Sequence, residues 1–379
     1  MDFTFSEEQT LLKNSVERFI ADRYDFTTRM KLVAREEGFA PDNWAFMAEQ
    51  GWLAVPFAEE VGGFGFSLPE IMILMEAFGS GLVVEPYLST IVVGGGAVHL
   101  AGSPDQQHDI LPAVIAGECL LAFAHQEAGM RHDPAGVALS AGKDGNAYRL
   151  TGEKRLVLNA TTANHLVVTA RTSGNAGDRS GLTLFLVDRS ADGLSLRPYR
   201  TVDGLLAADI VLDNVTVPDS AVLGAPGEAH DLLVELFARA NVAMMAEAVG
   251  AMRALFEATR DYVATRKQFG RAIGSFQVIQ HRMADLYMGL EQSVGMLYRA
   301  ALTRDDDPRQ WLRNVSAARV FIDRAARRMG HEAIQFHGGI GMTDELSIGH
   351  YHKRLLMLQS LFGDIDYHRS RFRALGEAA

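Results

Sequence analysis

Residues 266–270 read Arg-Lys-Gln-Phe-Gly, residues 276–280 read Phe-Gln-Val-Ile-Gln, and residues 335–341 read Gln-Phe-His-Gly-Gly-Ile-Gly. An arginine at a helix end, beside an exposed aromatic and a glycine turn, can pair with pyrophosphate because its planar fork fits two phosphate oxygens. A Gly-Gly-x-Gly turn lets backbone amides approach an anion where a Cβ would clash. Ordinary helix termination by a cation and a glycine cap uses the same residues, so spacing alone leaves both interpretations open.

These runs lie in a segment with helical periodicity. Apolar residues after Pro226-Gly227 follow the helical spacing and predict one helix of about 35 residues that ends near Gly270. Three further helices are predicted at roughly 275–303, 308–336 and 343–374. Long helices with wide apolar faces favour a four-helix bundle, which we place at residues 224–379.

The segment before the bundle has a period close to two. Short β-branched or aromatic runs occupy residues 120–124, 148–150, 156–158, 165–169, 182–187 and 210–217. Glycine turns separate these runs, so residues 119–223 are predicted to form an antiparallel β-barrel or sandwich.

The amino-terminal segment is predicted to be helical. Ser6 with Gln9, and Ser67 with Glu70, have the spacing of capping boxes, and each pair precedes an amphipathic run. The expected fold class is α+β, mostly α. It comprises an N-terminal helical domain (1–118), a middle antiparallel β-barrel (119–223) and a C-terminal four-helix bundle (224–379).

Composition excludes several classes of protein. The 379 residues include 36 basic and 47 acidic side chains, a formal net charge of −11, which is unsuited to binding nucleic acid. The amino terminus has no secretory signal, and no run of about 18 apolar residues suggests a membrane span. Cys119 is the single cysteine, so no intrachain disulfide can form. We expect a soluble, cytoplasmic protein.

Familiar nucleotide and metal motifs are absent from the sequence. There is no dinucleotide fingerprint, phosphate loop, His-Glu-x-x-His or nucleophile elbow. His350 and His352 flank Tyr351, and on a helix they would face nearly opposite sides, so no metal site is predicted. A further polar run in the β segment comprises Ala124-His125-Gln126-Glu127, Gly152-Glu153-Lys154 and Asn159.

The order of segments, together with the three runs, resembles the acyl-CoA dehydrogenase family of flavin enzymes. The resemblance extends from Phe5 to about Arg371. It is greatest to the small subunits of two-component enzymes that act on dicarboxylyl-CoA or ring-bearing substrates, such as pimeloyl-CoA dehydrogenase. It implies an FAD cofactor, held between the β domain and the bundle and reaching a neighbouring subunit.

The resemblance also implies which residues bind FAD. Arg266 and Phe269 would contact its pyrophosphate and adenine half, and Gln280 would support that contact. Gln335, Gly338 and Gly339 would bind the cofactor from the next chain. Gln126 occupies the position that usually carries a threonine bonded to the flavin ring. Leu156 and Leu158 replace a tryptophan and a threonine found in many members.

The family reaction needs a base, because a carboxylate removes the proton alpha to the thioester while the flavin accepts a hydride. Phe362 occupies one position at which members carry a catalytic glutamate, and Ala240 occupies the other. Two nearby acids are candidates. Asp364 stands where a threonine normally touches FAD, and could instead cap a helix or pair with Arg369. Glu247 lies on an apolar helix stripe, and could instead form a buried ion pair.

Three hypotheses follow from the resemblance. The chain is an acyl-CoA dehydrogenase that uses a non-standard acid or a base from a partner chain, or it is a noncatalytic subunit, or it is a flavin hydroxylase or oxidase. The implied partners are an acyl-CoA substrate, an electron-transfer flavoprotein, and either copies of this chain in a homotetramer or a homologous subunit. The sequence does not indicate the acyl group.

Overall fold

The computed structural model describes residues 5–304 and 307–377. Two compact units are present. The first contains the chain up to Lys31, Leu68–Val83, and the chain from Asn241 onward. The second contains Leu32–Ser67 and Val84–Ala240.

The helices follow the predicted order along the chain. They are α1 (Glu7–Arg23), α2 (Phe26–Val33), α3 (Pro41–Glu49), α4 (Leu68–Gly81), α5 (Gly96–Ala101, continuing a π-helical segment at Leu88–Gly95), α6 (Pro104–Ile115), α7 (His230–Thr265), α8 (Gln277–Leu302), α9 (Pro308–His337), α10 (Ser347–Leu358) and α11 (Ile365–Glu377). The predicted long helix is the 36-residue α7. The Ser6–Gln9 capping box is present at α1, and α4 begins directly after Ser67.

One predicted bundle helix is broken, so that prediction was wrong. In place of a single helix at 343–374, α10 ends at Leu358 and α11 begins at Ile365. Phe362 and Gly363, in the connection, have φ values of 49° and 117°. Arg319, which is fully buried, donates to the carbonyls of Leu358 at 2.5 Å and Leu361 at 3.2 Å. It thereby satisfies acceptors that a helix end leaves unpaired.

Helices α4 and α7 pack with their backbones in direct contact. A Cβ built on Gly79 would lie 1.9 Å from the carbonyl oxygen of Glu247, and one built on Gly250 would lie 1.8 Å from that of Glu76. Only glycine permits these two approaches. This contact fixes the backbone of α7 around Glu247.

The second unit contains the predicted β domain. Its strands are β1 (Leu121–Ala124), β2 (Ser140–Asp144), β3 (Ala147–Leu158), β4 (His165–Arg171), β5 (Leu182–Asp188), β6 (Leu194–Arg200), β7 (Leu206–Pro218) and β8 (Val222–Leu223). Their order is β6-β7-β3-β2-β4-β5-β8, and β1 pairs with β4. Neighbours are antiparallel except for the parallel pairs β1–β4 and β2–β4. The predicted fold class is confirmed.

Two runs that were predicted as separate strands form a single strand. The runs at 148–150 and 156–158 both belong to β3, whose pairing with β7 shifts register between Lys154 and Val157. Leu156 lies in this irregularity with φ of 52°. The side chain of Leu156 is therefore presented from a local distortion rather than from a regular strand.

The helices of residues 5–304 and 307–377 include no candidate for a membrane-spanning segment. None of them combines the length and the apolar character that crossing a bilayer requires.

Candidate functional site

A short hairpin presents the residues predicted to contact the pyrophosphate. Strand β9 (Lys267–Gln268) pairs with β10 (Arg271–Ala272), and Phe269 and Gly270 form the turn with φ values of 53° and 80°. Two positive φ values in a two-residue loop are typical of a type I′ turn, where asparagine and glycine are favoured. Phe269 is nevertheless 92% exposed there. An unfavourable, solvent-facing aromatic points to a ligand or a partner surface.

The start of α8 is tied to the same hairpin. The guanidinium of Arg271 lies 4.1 Å from the ring centre of Phe276, and the rings of Phe269 and Phe276 meet edge to face at 6.1 Å. Gln280 donates through Nε2 to the carbonyl of Gly274 at 3.1 Å. These contacts hold the two predicted motifs as one structural element.

The glycine turn follows α9 directly. Helix α9 ends at His337, and Gly338 has φ of 65°. A Cβ built on Gly338 or Gly339 would meet no atom within 4 Å. Gln335, one turn earlier, is exposed. Space beside both glycines is therefore open, but the Gly338 amide donates to the carbonyl of Ile334 and caps α9. The helix-termination alternative is thus present at Gly338.

The hairpin run and the glycine run, which are predicted to contact one FAD from two different chains, adjoin each other within the first unit of a single chain. Tyr262, near the end of α7, donates to the carbonyl of His337 at 3.3 Å, and their rings stack at 4.2 Å. Arg282 on α8 lies 5.1 Å from the ring centre of Phe336 and forms an ion pair with Glu332. The structure therefore brings the hairpin run and the glycine run together.

The β-domain residue predicted to contact the flavin has a fixed backbone. Gln126 follows His125 just after the end of β1, and its carbonyl accepts a hydrogen bond from the Arg155 amide at 2.7 Å. Its side chain is partly exposed. Gln126 belongs to the second unit, whereas the hairpin and the glycine turn belong to the first.

A buried polar cluster lies beside Gln126. The ammonium of Lys154 is fully buried and donates to Glu127 at 2.6 Å, to Thr169 Oγ1 at 3.0 Å and to the carbonyl of His125 at 3.2 Å. The Nδ1 atom of His125 lies 3.0 Å from the same Thr169 hydroxyl. Its Nε2 is buried and has no hydrogen-bond partner within the described part of the chain. His125, Glu127 and Lys154 come from the polar run noted in the sequence, whereas Thr169 lies outside it, and no local motif indicates a role for the cluster.

Burial governs the ionisation of this cluster. Desolvation lowers the pKa of Lys154 from 10.5 to about 8, although Glu127 acts in the opposite direction. Desolvation, followed by repulsion from Lys154, also holds the pKa of His125 well below its usual value. His125 is therefore a neutral imidazole at physiological pH.

The buried ammonium predicts a pH dependence of stability. Between about pH 8 and 10.5 the unfolded chain binds more protons at this lysine than the folded chain does. The contribution of Lys154 to the free energy of unfolding should therefore rise with pH across this window, by up to about 1.4 kcal/mol per pH unit. The measurement compares the unaltered protein with Lys154→Met below and within the window. Parallel pH profiles for the two proteins would contradict the prediction.

Neither position of the expected base carries an acid. Phe362 lies in the α10–α11 connection, where its carbonyl accepts from Asn241 Nδ2 at 3.1 Å. Ala240, on α7, is fully buried. Apolar side chains therefore occupy both positions that the family resemblance identifies.

Asp364 caps a helix. Its Oδ1 accepts the Tyr367 amide at 2.8 Å at the start of α11, and the residue is exposed. Arg369, the other predicted partner, lies 3.4 Å from Asp366. Of the two structural roles suggested for Asp364, a helix cap or a partner for Arg369, the structure contains the helix cap.

Glu247 forms a buried ion pair. Its two carboxylate oxygens accept from Nε and Nη2 of Arg354 at 2.5 and 2.9 Å, and the residues are 3% and 7% exposed. Paired, planar contacts of this kind are the strongest that a carboxylate makes with arginine. The structure therefore contains the buried ion pair that the sequence suggested as the alternative to a catalytic role for Glu247.

Comparisons with known proteins agree with this architecture. Sequence profiles of the acyl-CoA dehydrogenase N-terminal, middle and C-terminal domains match residues 6–118, 122–215 and 231–374. The chain is 28% identical over 353 residues to the probable acyl-CoA dehydrogenase YngJ of Bacillus subtilis, covering 92% of each chain. It is 28% identical over 351 residues to the caffeyl-CoA reductase-Etf complex subunit CarC of Acetobacterium woodii, covering 91% of each.

Solved structures give the same result. A chain of the ChsE4-ChsE5 complex from Mycobacterium tuberculosis superposes with a TM-score of 0.88 at 26% identity, covering 100% of this chain and 98% of that one. A chain of the FAD complex of PigA gives a TM-score of 0.91 at 25% identity, with both chains fully covered. Since three family profiles together match most of its length, the chain belongs to the acyl-CoA dehydrogenase family.

Proposed function

We propose that this chain is an FAD-binding subunit of a heteromeric acyl-CoA dehydrogenase, in which a homologous partner supplies the catalytic base. Membership of the family supports an oxidoreductase. The observation that carries the finer proposal is the state of Glu247, whose two carboxylate oxygens are held by buried Arg354.

The residues present fit FAD. The open backbone at Gly339 can approach an anion, and exposed Arg266, which directly precedes the adjoining hairpin, supplies a cation. His125 Nε2 is a buried polar atom that lacks a partner among the described residues and lies next to Gln126 in the chain. FAD would supply the hydride acceptor when bound, and the hairpin and the glycine turn of the first unit would hold its phosphates.

The base is proposed to come from another chain because both candidate acids already have structural tasks. Glu247 balances a buried guanidinium, and Asp364 caps α11. A base must be free to accept the alpha proton, and an ion-paired or capping carboxylate is poorly placed to do so. Phe362 and Ala240 contribute only apolar surface where an acid is expected.

Relatives support a heteromer. The ChsE4-ChsE5 complex and the steroid enzyme Tcur3481-Tcur3483 each carry two subunit names, and their chains match this one at 26% and 28% identity. CarC is named as a subunit of an Etf complex. We therefore propose acyl-CoA as the substrate and an electron-transfer flavoprotein as the acceptor, with the acyl group left open.

The test uses the chain purified alone and co-expressed with a homologue that carries the glutamate. We expect the co-expressed complex, and not the single chain, to lose its visible flavin absorption when acyl-CoA is added without oxygen. Glu247→Gln in the complex should retain this bleaching. Bleaching by the single chain would contradict the need for a partner, and consumption of oxygen by the complex in place of reduction of an acceptor flavoprotein would favour an oxidase.

The hairpin gives a separate prediction about the cofactor. Phe269→Asn should leave the free energy of unfolding unchanged or raise it by up to about 1 kcal/mol, because asparagine tolerates positive φ. FAD affinity should fall by up to about tenfold as the aromatic contact is lost. Fluorescence titration of the cofactor-free protein measures it.

Phe66→Asn provides the matched control for that titration. Phe66 is also exposed, at 37%, but belongs to the second unit and lies outside the proposed site. Its replacement should leave FAD affinity unchanged. An affinity that Phe269→Asn does not alter would remove Phe269 from the cofactor site.

A further inference from the structure

The unused ring nitrogen of His125 is a hydrogen-bond donor. Thr169 Oγ1 accepts from the ammonium of Lys154 at 3.0 Å, and its own proton can go to His125 Nδ1 at 3.0 Å or to the carbonyl of Ala124 at 3.4 Å. The shorter contact favours Nδ1, which is then an acceptor. Because a neutral imidazole has one donor and one acceptor, Nε2 carries the ring proton.

This donor lacks an acceptor within the described ranges of the chain. His125 is 5% exposed, and its Nε2 is buried without a hydrogen-bond partner among residues 5–304 and 307–377. Its ring neighbours are apolar, since Phe237 meets the imidazole edge to face at 4.8 Å and Phe123 stacks on it at 6.0 Å. A buried N–H group is costly unless an acceptor is supplied. The position of Nε2 therefore indicates a ligand that carries an acceptor.

The acyl group of the substrate is the ligand that can bring an acceptor here. Phe237 lies on α7 three residues before Ala240, one of the two positions at which members of the family carry the base. A base at that position takes the alpha proton, so the acyl group lies beside it. Phe123 and His125 both contact Phe237, so they share one face of the extended chain. Gln126, the next residue, is expected to face the opposite side, towards the flavin.

We propose that His125 determines specificity by donating through Nε2 to an oxygen on the acyl group. The substrate class is then an acyl-CoA whose acyl chain carries an oxygen besides that of the thioester. A hydrocarbon chain would leave the buried N–H group unpaired, whereas an oxygenated chain would satisfy it. This inference rests on the proposed function, in which acyl-CoA is the substrate.

The test compares two probes, hexanoyl-CoA and 5-oxohexanoyl-CoA, which differ by one carbonyl group. Equilibrium dialysis measures their binding to the complex with the homologous partner. Its FAD is reduced beforehand with dithionite, so that the flavin cannot accept a hydride from either probe. We expect the unaltered complex to bind the oxo compound about tenfold more tightly than the hydrocarbon.

Three variants assign the preference to the imidazole. His125→Leu should abolish it, and His125→Gln should retain part of it because glutamine keeps an N–H donor. His108→Leu removes an exposed histidine on α6 and should leave the preference unchanged. The affinity of the cofactor-free chain for FAD, measured by fluorescence titration, should be the same for the unaltered protein and for His125→Leu.

Four results would overturn the inference. Equal binding of the two thioesters by the unaltered complex is the first, and an equal loss of both in His125→Leu is the second. Weaker FAD binding by His125→Leu is the third, because it would assign Nε2 to the flavin. In these three cases, bleaching of the oxidised complex by either thioester would show that the proposed function stands without the inference. Failure of both thioesters to bind is the fourth, and it would also contradict acyl-CoA as the substrate.

Discussion

Arg171→Met should lower the free energy of unfolding of the β domain by about 4 kcal/mol. The guanidinium is 7% exposed and donates to the carbonyls of Val137 at 2.9 Å, Ala135 at 2.8 Å and Ser180 at 2.9 Å. It also donates to the carbonyl of Asp178 at 3.1 Å. One side chain at the end of β4 thus holds two loops, and methionine leaves their buried carbonyls without a donor.

The measurement is native-state hydrogen exchange, because it reports the opening free energy of β4 and β5 without assuming that the whole chain unfolds together. Arg149→Met is the matched control on β3. Arg149 lies 2.8 Å from Asp144, and both side chains are 57% exposed, so its loss should change stability by less than about 1 kcal/mol. A similar small change for Arg171→Met would show that the loops are held by other contacts.

The β domain shows where periodicity is informative and where it is not. Strands with one or two buried faces, such as β4 and β5, are predictable because their apolar residues form continuous runs. Strands β2 and β6 are mostly exposed and carry no such pattern, so periodicity does not identify them. Their pairing depends on partners elsewhere in the sheet, and edge or exposed strands therefore leave a weak local signal.

The bundle shows the corresponding limit for helices. Apolar spacing continues across residues 343–374 and predicts one helix there. The break is set by Gly363 and by Arg319, which is 44 positions away in sequence from that glycine. A buried arginine that binds a distant helix end has no local signature.

The candidate site is predictable to the extent that its chemistry is local. Short motifs identify the hairpin turn at Phe269-Gly270 and the open glycines at 338 and 339, and the structure shows their exposure. The ion pair of Glu247 joins residues 107 positions apart. Its only local sign is a charge on an apolar stripe, which does not reveal Arg354 as the partner.

Glu247→Gln should lower the free energy of unfolding of the first unit by about 3–5 kcal/mol, because it leaves the guanidinium of Arg354 buried without a balancing charge. Hydrogen exchange along α7 and α10 measures the loss. The control is Glu17→Gln, which removes an exposed acid 3.8 Å from Lys13 and should cost less than about 1 kcal/mol.

The double variant Glu247→Gln/Arg354→Met separates a structural role from a catalytic one. If the carboxylate exists to balance the guanidinium, removing both charges should restore much of the stability that either single change loses, giving a coupling energy above about 1 kcal/mol. Flavin bleaching by the heteromeric complex, measured per folded protein, should persist in Glu247→Gln. A Glu247→Gln complex of undiminished stability that no longer bleaches would identify Glu247 as the base and contradict the proposed need for a partner's carboxylate.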